Sequence, residues 1–396
     1  MMSFLNKIKR FISIRLYFKK ILFPKIMSRG VFLQQHEQID TINRLLLIEK
    51  KAERLKSFHE LIPVSEEKIR NRFLSSHSYQ NENKYLYEIS DAKLAGPFGL
   101  ICTGDGRLVR DAHSFNGTGR MEAFLLNSYL EEPGLVLNCF IRNPDRYNKN
   151  SSSRVETGLS MCSVWVNYFH WIIEELPKLR ALELYHEETG SKPVIILPNH
   201  PAPYIKESLK VLGYDPAADT VTFHSDHLNV EKLLVQTFPE ISPEMTDWMR
   251  DRVFKNLGLS GQPGNRRVYI SRKKKGNRSV KNADEFEAFL KRYGFENVHL
   301  EEYSFEGQVK LLHETGVVLS AHGAGLTNVL WGNKMKVIEL FGHTIKTTYA
   351  RLCEACGHQY RAVAGEPIKP HHASDFLIDI DELEEILTDL GIEPIP

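Results

Sequence analysis

Between residues 266 and 341, short apolar runs alternate with longer amphipathic stretches, and this alternation constrains the fold more than any other feature. Runs rich in Val, Ile and Leu, typical of strands, stand at 267–271, 297–300, 316–320 and 336–340. Apolar spacing typical of helices stands at 283–293 and 306–314. Strands joined by helices of this length pair in parallel through right-handed crossovers, so we expect a helix-covered parallel sheet.

The preceding region predicts a second unit of the same kind. A helix is expected over Asn167–Glu188, with Pro177 kinking it, and strands at 193–198 and 233–236 flank a helix at 204–212. We therefore predict an α/β protein of two Rossmann-like domains that face a cleft, with an added N-terminal helical segment. The predicted segments are an N-terminal helical segment (1–60), a first Rossmann-like domain (61–240), a second Rossmann-like domain (241–373) and a C-terminal helix (374–396).

The first 36 residues carry eight Lys and Arg side chains and no acid, whereas the remainder of the chain has a net charge of −7. The apolar run among these cations is too short and too charged to span a bilayer. Residues 1–30 predict a basic amphipathic helix on an anionic membrane surface; the alternative is an ordinary helix with a solvated basic face. The acidic remainder argues against a nucleic-acid partner. A second helix is expected over 34–60.

A glycine turn follows the predicted strand at 316–320. Small residues let a backbone approach a ligand closely, and the start of the following helix offers free N–H groups that suit a diphosphate. Glu339, at the end of the next strand, is placed to accept hydrogen bonds from ribose hydroxyls. The alternative is a tight turn without a ligand. The candidate turn residues are His322, Gly323, Ala324, Gly325, Leu326, Thr327 and Asn328.

A basic stretch follows the predicted strand at 267–271 and reaches the same edge of the sheet. Arg272 and Arg278 can fork onto phosphate oxygens, whereas the lysines between them are expected to be mostly solvated. Arg272, directly after the strand, is the preferred phosphate ligand.

Taken together, these motifs resemble glycosyltransferase family 61, which includes many capsular-polysaccharide biosynthesis proteins. The matching pieces are Ile270-Ser271-Arg272, Arg278 with Asn282, Glu306 with Gln308, His322–Asn328, Val337–Leu340, and Asn167–Trp171 with Glu174, Leu176-Pro177 and Arg180. The resemblance covers most of residues 85–345 and departs from the family at Ser320-Ala321, where a Gly-Pro pair is commoner. It implies a GT-B fold, an inverting mechanism and a nucleotide-sugar donor, usually uridine-linked, with Asn167 and Ser271 among the donor contacts.

An inverting transfer needs a base for the acceptor hydroxyl. His170, in the first turn of its predicted helix, is the candidate, and Glu174 lies one turn further on the same face, where it can orient or replace His170. The alternative is that His170 belongs to an aromatic helix start packed in the core. His322 is expected to donate to a phosphate or sugar oxygen.

No cofactor and no metal are expected. Asp379-Ile380-Asp381 matches the Asp-x-Asp pattern of metal-dependent transferases, but it opens an amphipathic helix, so helix capping is the better interpretation. Cys353 and Cys356 with His358 form at most half of a zinc site, and a buried helical position is favoured for them.

The sequence thus predicts a cytoplasmic glycosyltransferase, peripheral on the inner face of the cell membrane, with a nucleotide-sugar donor and a glycan or lipid-linked glycan acceptor. Two alternatives stay open: a nucleotide-sugar epimerase or hydrolase, and a non-catalytic glycan-assembly scaffold. The few scattered cysteines agree with a reducing compartment, and the sequence leaves the sugar, the linkage and the oligomeric state open.

Overall fold

The computed structural model describes residues 17, 20, 32–33, 42–49, 83–96, 98–104, 108–109, 126, 154–163, 165–224, 227–271, 278–343, 345–371 and 373–396. The predicted membrane-binding helix over 1–30 and Arg272 therefore lie outside the described residues, apart from Tyr17 and Lys20.

A mixed sheet forms the first half of the described chain. Its strands are β1 Phe32–Leu33, β2 Ile42–Glu49, β3 Lys84–Ala95, β4 Leu100–Cys102, β5 Leu108–Val109, β6 Arg154–Ser160, β7 Val194–Leu197, β8 Thr220–Thr222 and β9 His227–Gln236. β8, β7, β6 and β9 are parallel neighbours in that order, which is the strand order of one half of a Rossmann fold. β3 joins β9 in antiparallel fashion, and β2 and β4 then pair with β3. β4 and β5 are antiparallel neighbours, with Cys102 on β4 paired with Leu108 on β5.

The predicted helix over 34–60 is wrong at Ile42–Glu49, which forms β2. This run holds three consecutive leucines, and a short apolar run fits a buried helix and a strand equally well. The run forms a strand because the free edge of β3 is available to pair with it, from Ile42 to Glu49.

The described part of the chain contains eight α-helices. They are α1 Tyr168–His170, α2 Leu179–Thr189, α3 Pro203–Val211, α4 Pro243–Leu257, α5 Ala283–Arg292, α6 Phe305–His313, α7 Thr348–Ala355 and α8 Ile380–Asp389. A π-helix at Trp171–Glu175 and a 3₁₀-helix at Leu176–Lys178 join α1 to α2, so the predicted helix over Asn167–Glu188 is confirmed with an irregular middle. Pro177 has no N–H to donate to the preceding turn, and the backbone changes its hydrogen-bond register there.

The second sheet is parallel throughout. Its strands are β10 Arg266–Ile270, β11 Glu296–Val298, β12 Thr315–Ala321, β13 Lys336–Phe341 and β14 Gln359–Ala364, in the order β11-β10-β12-β13-β14. The predicted alternation of strands and helices in this part of the chain is confirmed. The order in which strands are added reverses between β10 and β12, because β11 lies on one side of β10 and the later strands lie on the other. Ligands of such sheets bind in the crevice beyond the carboxyl ends of the two strands at this point. Two short strands, β15 Glu366–Pro367 and β16 Phe376–Leu377, pair beside this sheet.

One hydrophobic core connects the helices of the first half with the second sheet. Ile172 and Leu176, Val268 on β10, and Leu330 and Trp331 all belong to the same buried cluster. Polar contacts cross the same boundary: the Tyr168 hydroxyl donates to Asn328 Oδ1 over 2.7 Å. The result is a mixed α/β architecture compatible with a Rossmann-like glycosyltransferase fold, whereas two domains facing a cleft remain a prediction.

Two further features of the described residues bear on the sequence analysis. None of their helices combines the length and the apolar character that a membrane crossing requires. The cysteines Cys102, Cys162, Cys353 and Cys356 are buried as free thiols.

Candidate active site

A cavity of about 590 Å³ opens at the carboxyl ends of β10 and β12, where the sheet topology predicts a ligand. Its size falls within the range of small-molecule sites. Of the predicted donor-binding residues, the cavity is lined by Ser271, Arg278, Gly323, Ala324, Gly325 and Asn328.

The glycine turn forms one wall of this cavity. Gly323 precedes a 3₁₀-helix at Ala324–Trp331, in place of the α-helix that is usual for such a turn. A Cβ on Gly325 would lie 3.2 Å from Ile270 Cγ2 and 3.4 Å from Leu300 Cδ1, so the turn packs directly on β10. Leu326 and Thr327 have fully buried side chains and are not among the lining residues.

Arg278 connects the basic segment to the glycine turn. Its Nη1 donates to the backbone oxygen of His322 over 2.8 Å, and its φ of 60° lies in the left-handed region that non-glycine residues rarely adopt. A strained conformation of this kind persists only where the surroundings impose it. The guanidinium is thereby held at the cavity wall, next to the turn that offers backbone N–H groups.

Around Ser271, the cavity carries further polar groups that were not predicted from the sequence. Ser271 Oγ contacts Asn297 Oδ1 and lies 3.0 Å from His299 Nδ1, and Glu287 and Glu301 also line the cavity. In the sequence, the only indication of a role for these two residues was that Asn297 lies in β11 and His299 directly follows it. The carboxyl end of β11 meets the same edge of the sheet as the cavity.

Tyr168 closes the cavity towards the first half of the chain. Its hydroxyl donates to Asn328 Oδ1, and the Asn328 amide in turn donates to Gln308 Oε1 over 3.0 Å. Burial raises the pKa of the Tyr168 phenol above its ordinary value, which keeps this hydroxyl a donor. Tyr204 packs edge-on against Tyr168 at a ring distance of 5.2 Å.

His170 lies two residues after Tyr168 and does not line the cavity. Its Nδ1 is 2.5 Å from Glu174 Oε2, and the Trp165 ring stacks on the imidazole at 5.5 Å. Asn167 caps the helix, because its Oδ1 accepts from the His170 N–H. The pair follows the carboxyl end of β6, the strand at which the order of the first sheet reverses. Glu174 is therefore in contact with His170, and its role in orienting or replacing that residue stays a prediction.

A second histidine–carboxylate pair stands at the glycine turn. His322 Nδ1 is 2.5 Å from Glu339 Oε1, and the Tyr360 hydroxyl donates to Glu339 Oε2 over 2.6 Å. Glu339 is fully buried, whereas the His322 side chain is 14% exposed. The structure therefore places Glu339 behind His322 and not at a surface that a ribose contacts directly.

Aromatic rings connect the two pairs. Phe169 packs edge-on against His170 and, at 5.9 Å, against Tyr349, whose ring lies 5.5 Å from that of His322. The candidate base and the histidine of the glycine turn therefore belong to one contiguous cluster between the two halves of the chain.

Glu175 and Lys178 form a buried ion pair of 2.7 Å next to the first histidine pair. Burial raises the pKa of Glu175 to about 7, and the neighbouring charge of Lys178 opposes this rise. Neither residue was predicted, since a charged pair at i and i+3 is typical of an exposed helix face.

The two alternatives considered for metal sites take structural positions instead. Asp379 caps α8, because its side chain accepts from the N–H groups of Asp381 and Glu382. His358 is buried and its Nε2 lies 2.9 Å from the backbone oxygen of Val329; burial lowers its pKa to about 4. No group of three or more His, Cys, Asp or Glu residues in the described ranges is arranged to hold a metal ion.

Comparison with known proteins agrees with the motifs. Residues 168–338 match the profile of the family Glycosyltransferase 61. This part of the chain is a glycosyltransferase family 61 domain. It runs from Tyr168 at the cavity mouth to β13 and includes both the candidate base and the glycine turn. A comparison with curated proteins gave no significant match. Family 61 implies glycosyltransferase activity in general, with a sugar donor and a glycan acceptor.

Proposed function

We propose that the protein is an inverting glycosyltransferase that moves a sugar from a uridine-linked nucleotide donor to a surface or capsular glycan. The observation that supports this most directly is the cavity at the carboxyl edge of the second sheet, inside the family 61 domain. It combines the backbone of the glycine turn, the Arg278 guanidinium and the polar groups around Ser271.

The donor diphosphate is proposed to lie against Gly323–Gly325. The first N–H groups of a helix have no partner within the helix, and with Arg278 they balance a diphosphate without a metal ion. Arg272, outside the described residues, stands two positions after the last residue of β10 in the sequence and is the second proposed phosphate ligand. The sugar then extends past the turn towards His322.

The reaction needs one proton transfer. The acceptor hydroxyl gives its proton to His170, and its oxygen attacks the anomeric carbon from the face opposite the diphosphate. The bond between that carbon and the diphosphate oxygen breaks, and its electron pair leaves with the nucleotide diphosphate. Glu174 stabilises the imidazolium that forms.

Calorimetric titration of UDP, GDP and CMP into the intact protein, with and without Mg²⁺, tests the donor site. We expect micromolar UDP affinity that does not depend on Mg²⁺. Arg278→Ala should weaken UDP binding about tenfold or more, because it removes a charge-assisted contact worth ~1.5–3 kcal/mol, and Arg272→Ala should do the same.

Arg266 supplies a matched control. It stands at the amino end of β10, where it is paired with Glu296 and Glu314, so Arg266→Ala removes an arginine charge away from the cavity. Equal UDP affinity in the Arg278 and Arg266 variants would remove Arg278 from the donor site. No binding of any nucleotide by the intact protein would instead favour a glycan-assembly scaffold.

A further inference from the structure

Glu339 and its two neighbours form a short row on one face of the second sheet. In the parallel register, Ser320 is paired with Glu339 and Val337 with Tyr360. His322 and Tyr360 are therefore both diagonal neighbours of Glu339, from opposite sides, and diagonal neighbours are within reach of long side chains.

The surroundings of Glu339 are those of a buried carboxylate with two hydrogen-bond partners. Burying a carboxylate is costly unless hydrogen bonds replace its water. Its Oε1 is 2.5 Å from His322 Nδ1, and its Oε2 accepts from the Tyr360 hydroxyl. Burial, reinforced by Glu339, raises the pKa of Tyr360 well above its ordinary value, so this phenol stays a donor.

We propose that Glu339 fixes the His322 imidazole with its proton on Nδ1 and presents Nε2 to the donor, and that Tyr360 is a positioning residue which holds the Glu339 carboxylate in place for this. The effect of this assignment on catalysis rests on the proposed function, because His322 faces the donor only if the donor lies at the glycine turn. The tautomer itself is a property of the three side chains alone.

A glutamine at position 339 makes the proposal testable. The Tyr360 hydroxyl donates to Oε2 of the carboxylate. In Glu339→Gln we expect it to keep donating, now to the amide oxygen, so that the amide NH₂ faces His322 Nδ1. His322 Nδ1 then has to accept, and the proton moves to Nε2. Removing the Tyr360 hydroxyl frees the glutamine to rotate and to accept from Nδ1–H again.

The experiment is ¹⁵N NMR of histidine-labelled protein at a pH where the imidazoles are neutral. The chain has 16 histidines, so a His322→Asn variant identifies the resonances of His322. We expect the Nδ1–H tautomer in the unmodified protein and in Tyr360→Phe, the Nε2–H tautomer in Glu339→Gln, and a return to Nδ1–H in the double variant. An unchanged tautomer in Glu339→Gln would overturn the proposal.

Transfer rates give the second readout. We expect Glu339→Gln to lower kcat about 10²-fold or more because the wrong tautomer faces the donor, and Tyr360→Phe about fivefold. Adding Tyr360→Phe to Glu339→Gln should recover kcat at least about tenfold, a rescue that a merely structural tyrosine does not give. The proposal would be contradicted if kcat of the double variant fell by the product of the two factors measured for the single variants.

Tyr185 and Glu88 provide the matched control, because the Tyr185 hydroxyl donates to Glu88 in a buried contact of 2.5 Å away from the site. Tyr185→Phe should lower thermal stability to a degree comparable with Tyr360→Phe and leave kcat unchanged. A tautomer switch at His322 without any change of kcat would leave the tautomer assignment standing and remove His322 from the proposed transfer reaction.

Discussion

At the scale of single residues, the candidate base is defined by its partners. The carboxylate of Glu174 lies 2.5 Å from His170 Nδ1, and the Trp165 ring stacks on the imidazole. The same arrangement recurs at His322 with Glu339. Two histidines, each fixed by a carboxylate, therefore belong to the cluster between the two halves of the chain.

His170→Ala should keep UDP affinity and lose transfer by about 10²–10⁴-fold, the usual contribution of a positioned general base. The physical reason is that His170 does not line the cavity, so its removal leaves the proposed donor contacts in place. Transfer assays with a radiolabelled donor, run beside calorimetry, separate the two effects.

His186 is the control for this variant, since it lies on the exposed part of α2 and its Nδ1 is 2.9 Å from the backbone oxygen of Ser191. His186→Ala should transfer at the normal rate. Normal transfer by His170→Ala would end the candidacy of His170 as base.

At the scale of elements, the turn between β12 and the 3₁₀-helix sets the shape of the cavity. Its backbone packs on β10 through Gly325, where a Cβ would approach Ile270 Cγ2 to 3.2 Å. That distance is shorter than an ordinary contact, so a side chain at this position requires Ile270 or the turn to shift by a few tenths of an ångström. We expect such a shift to alter the wall that is proposed to hold the diphosphate.

Gly325→Ala is expected to destabilise the fold by ~1–3 kcal/mol, the usual cost of overpacking, and to weaken UDP binding about tenfold, which corresponds to ~1.4 kcal/mol. Thermal unfolding and calorimetric titration measure the two effects.

Gly261 allows a matched comparison because a Cβ there meets nothing within 4 Å. Gly261→Ala should change neither stability nor UDP affinity by a measurable amount. Full UDP affinity in Gly325→Ala would mean that the turn backbone does not contact the diphosphate.

At the scale of the whole molecule, the acidic body and the basic start of the chain suggest an orientation on a surface. The first 36 residues carry a charge of +8 against −7 for the rest. Each Lys or Arg near an anionic leaflet contributes about 1 kcal/mol. We propose that this segment holds the enzyme close to a lipid-linked acceptor at the inner face of the membrane.

Sedimentation with liposomes that contain anionic lipid tests this orientation. The intact protein should pellet with such liposomes at physiological salt and stay in solution with liposomes of neutral lipid. Replacing Lys7, Lys9, Arg10 and Arg15 by glutamine should lower the bound fraction because the electrostatic part of the attraction falls. Equal binding to both kinds of liposome would contradict a role for the charges.

The sequence by itself determined the parallel second sheet and the position of its glycine turn. Both depend on local information, namely the length of the apolar runs and the small residues at 321–325, which act within one strand and its connection. The cap formed by Asp379 is local in the same sense, since its partners are two and three residues away.

Tertiary structure alone decided the contacts between distant segments. β2 became a strand because the edge of β3 was open to it, and an apolar run of that length does not choose by itself. The buried Glu339 acquired His322 and Tyr360 as partners through the register of three neighbouring strands, so a residue expected at a ribose lies behind a histidine instead. Hydrogen bonds between neighbouring strands join residues far apart in sequence, and no local pattern encodes them.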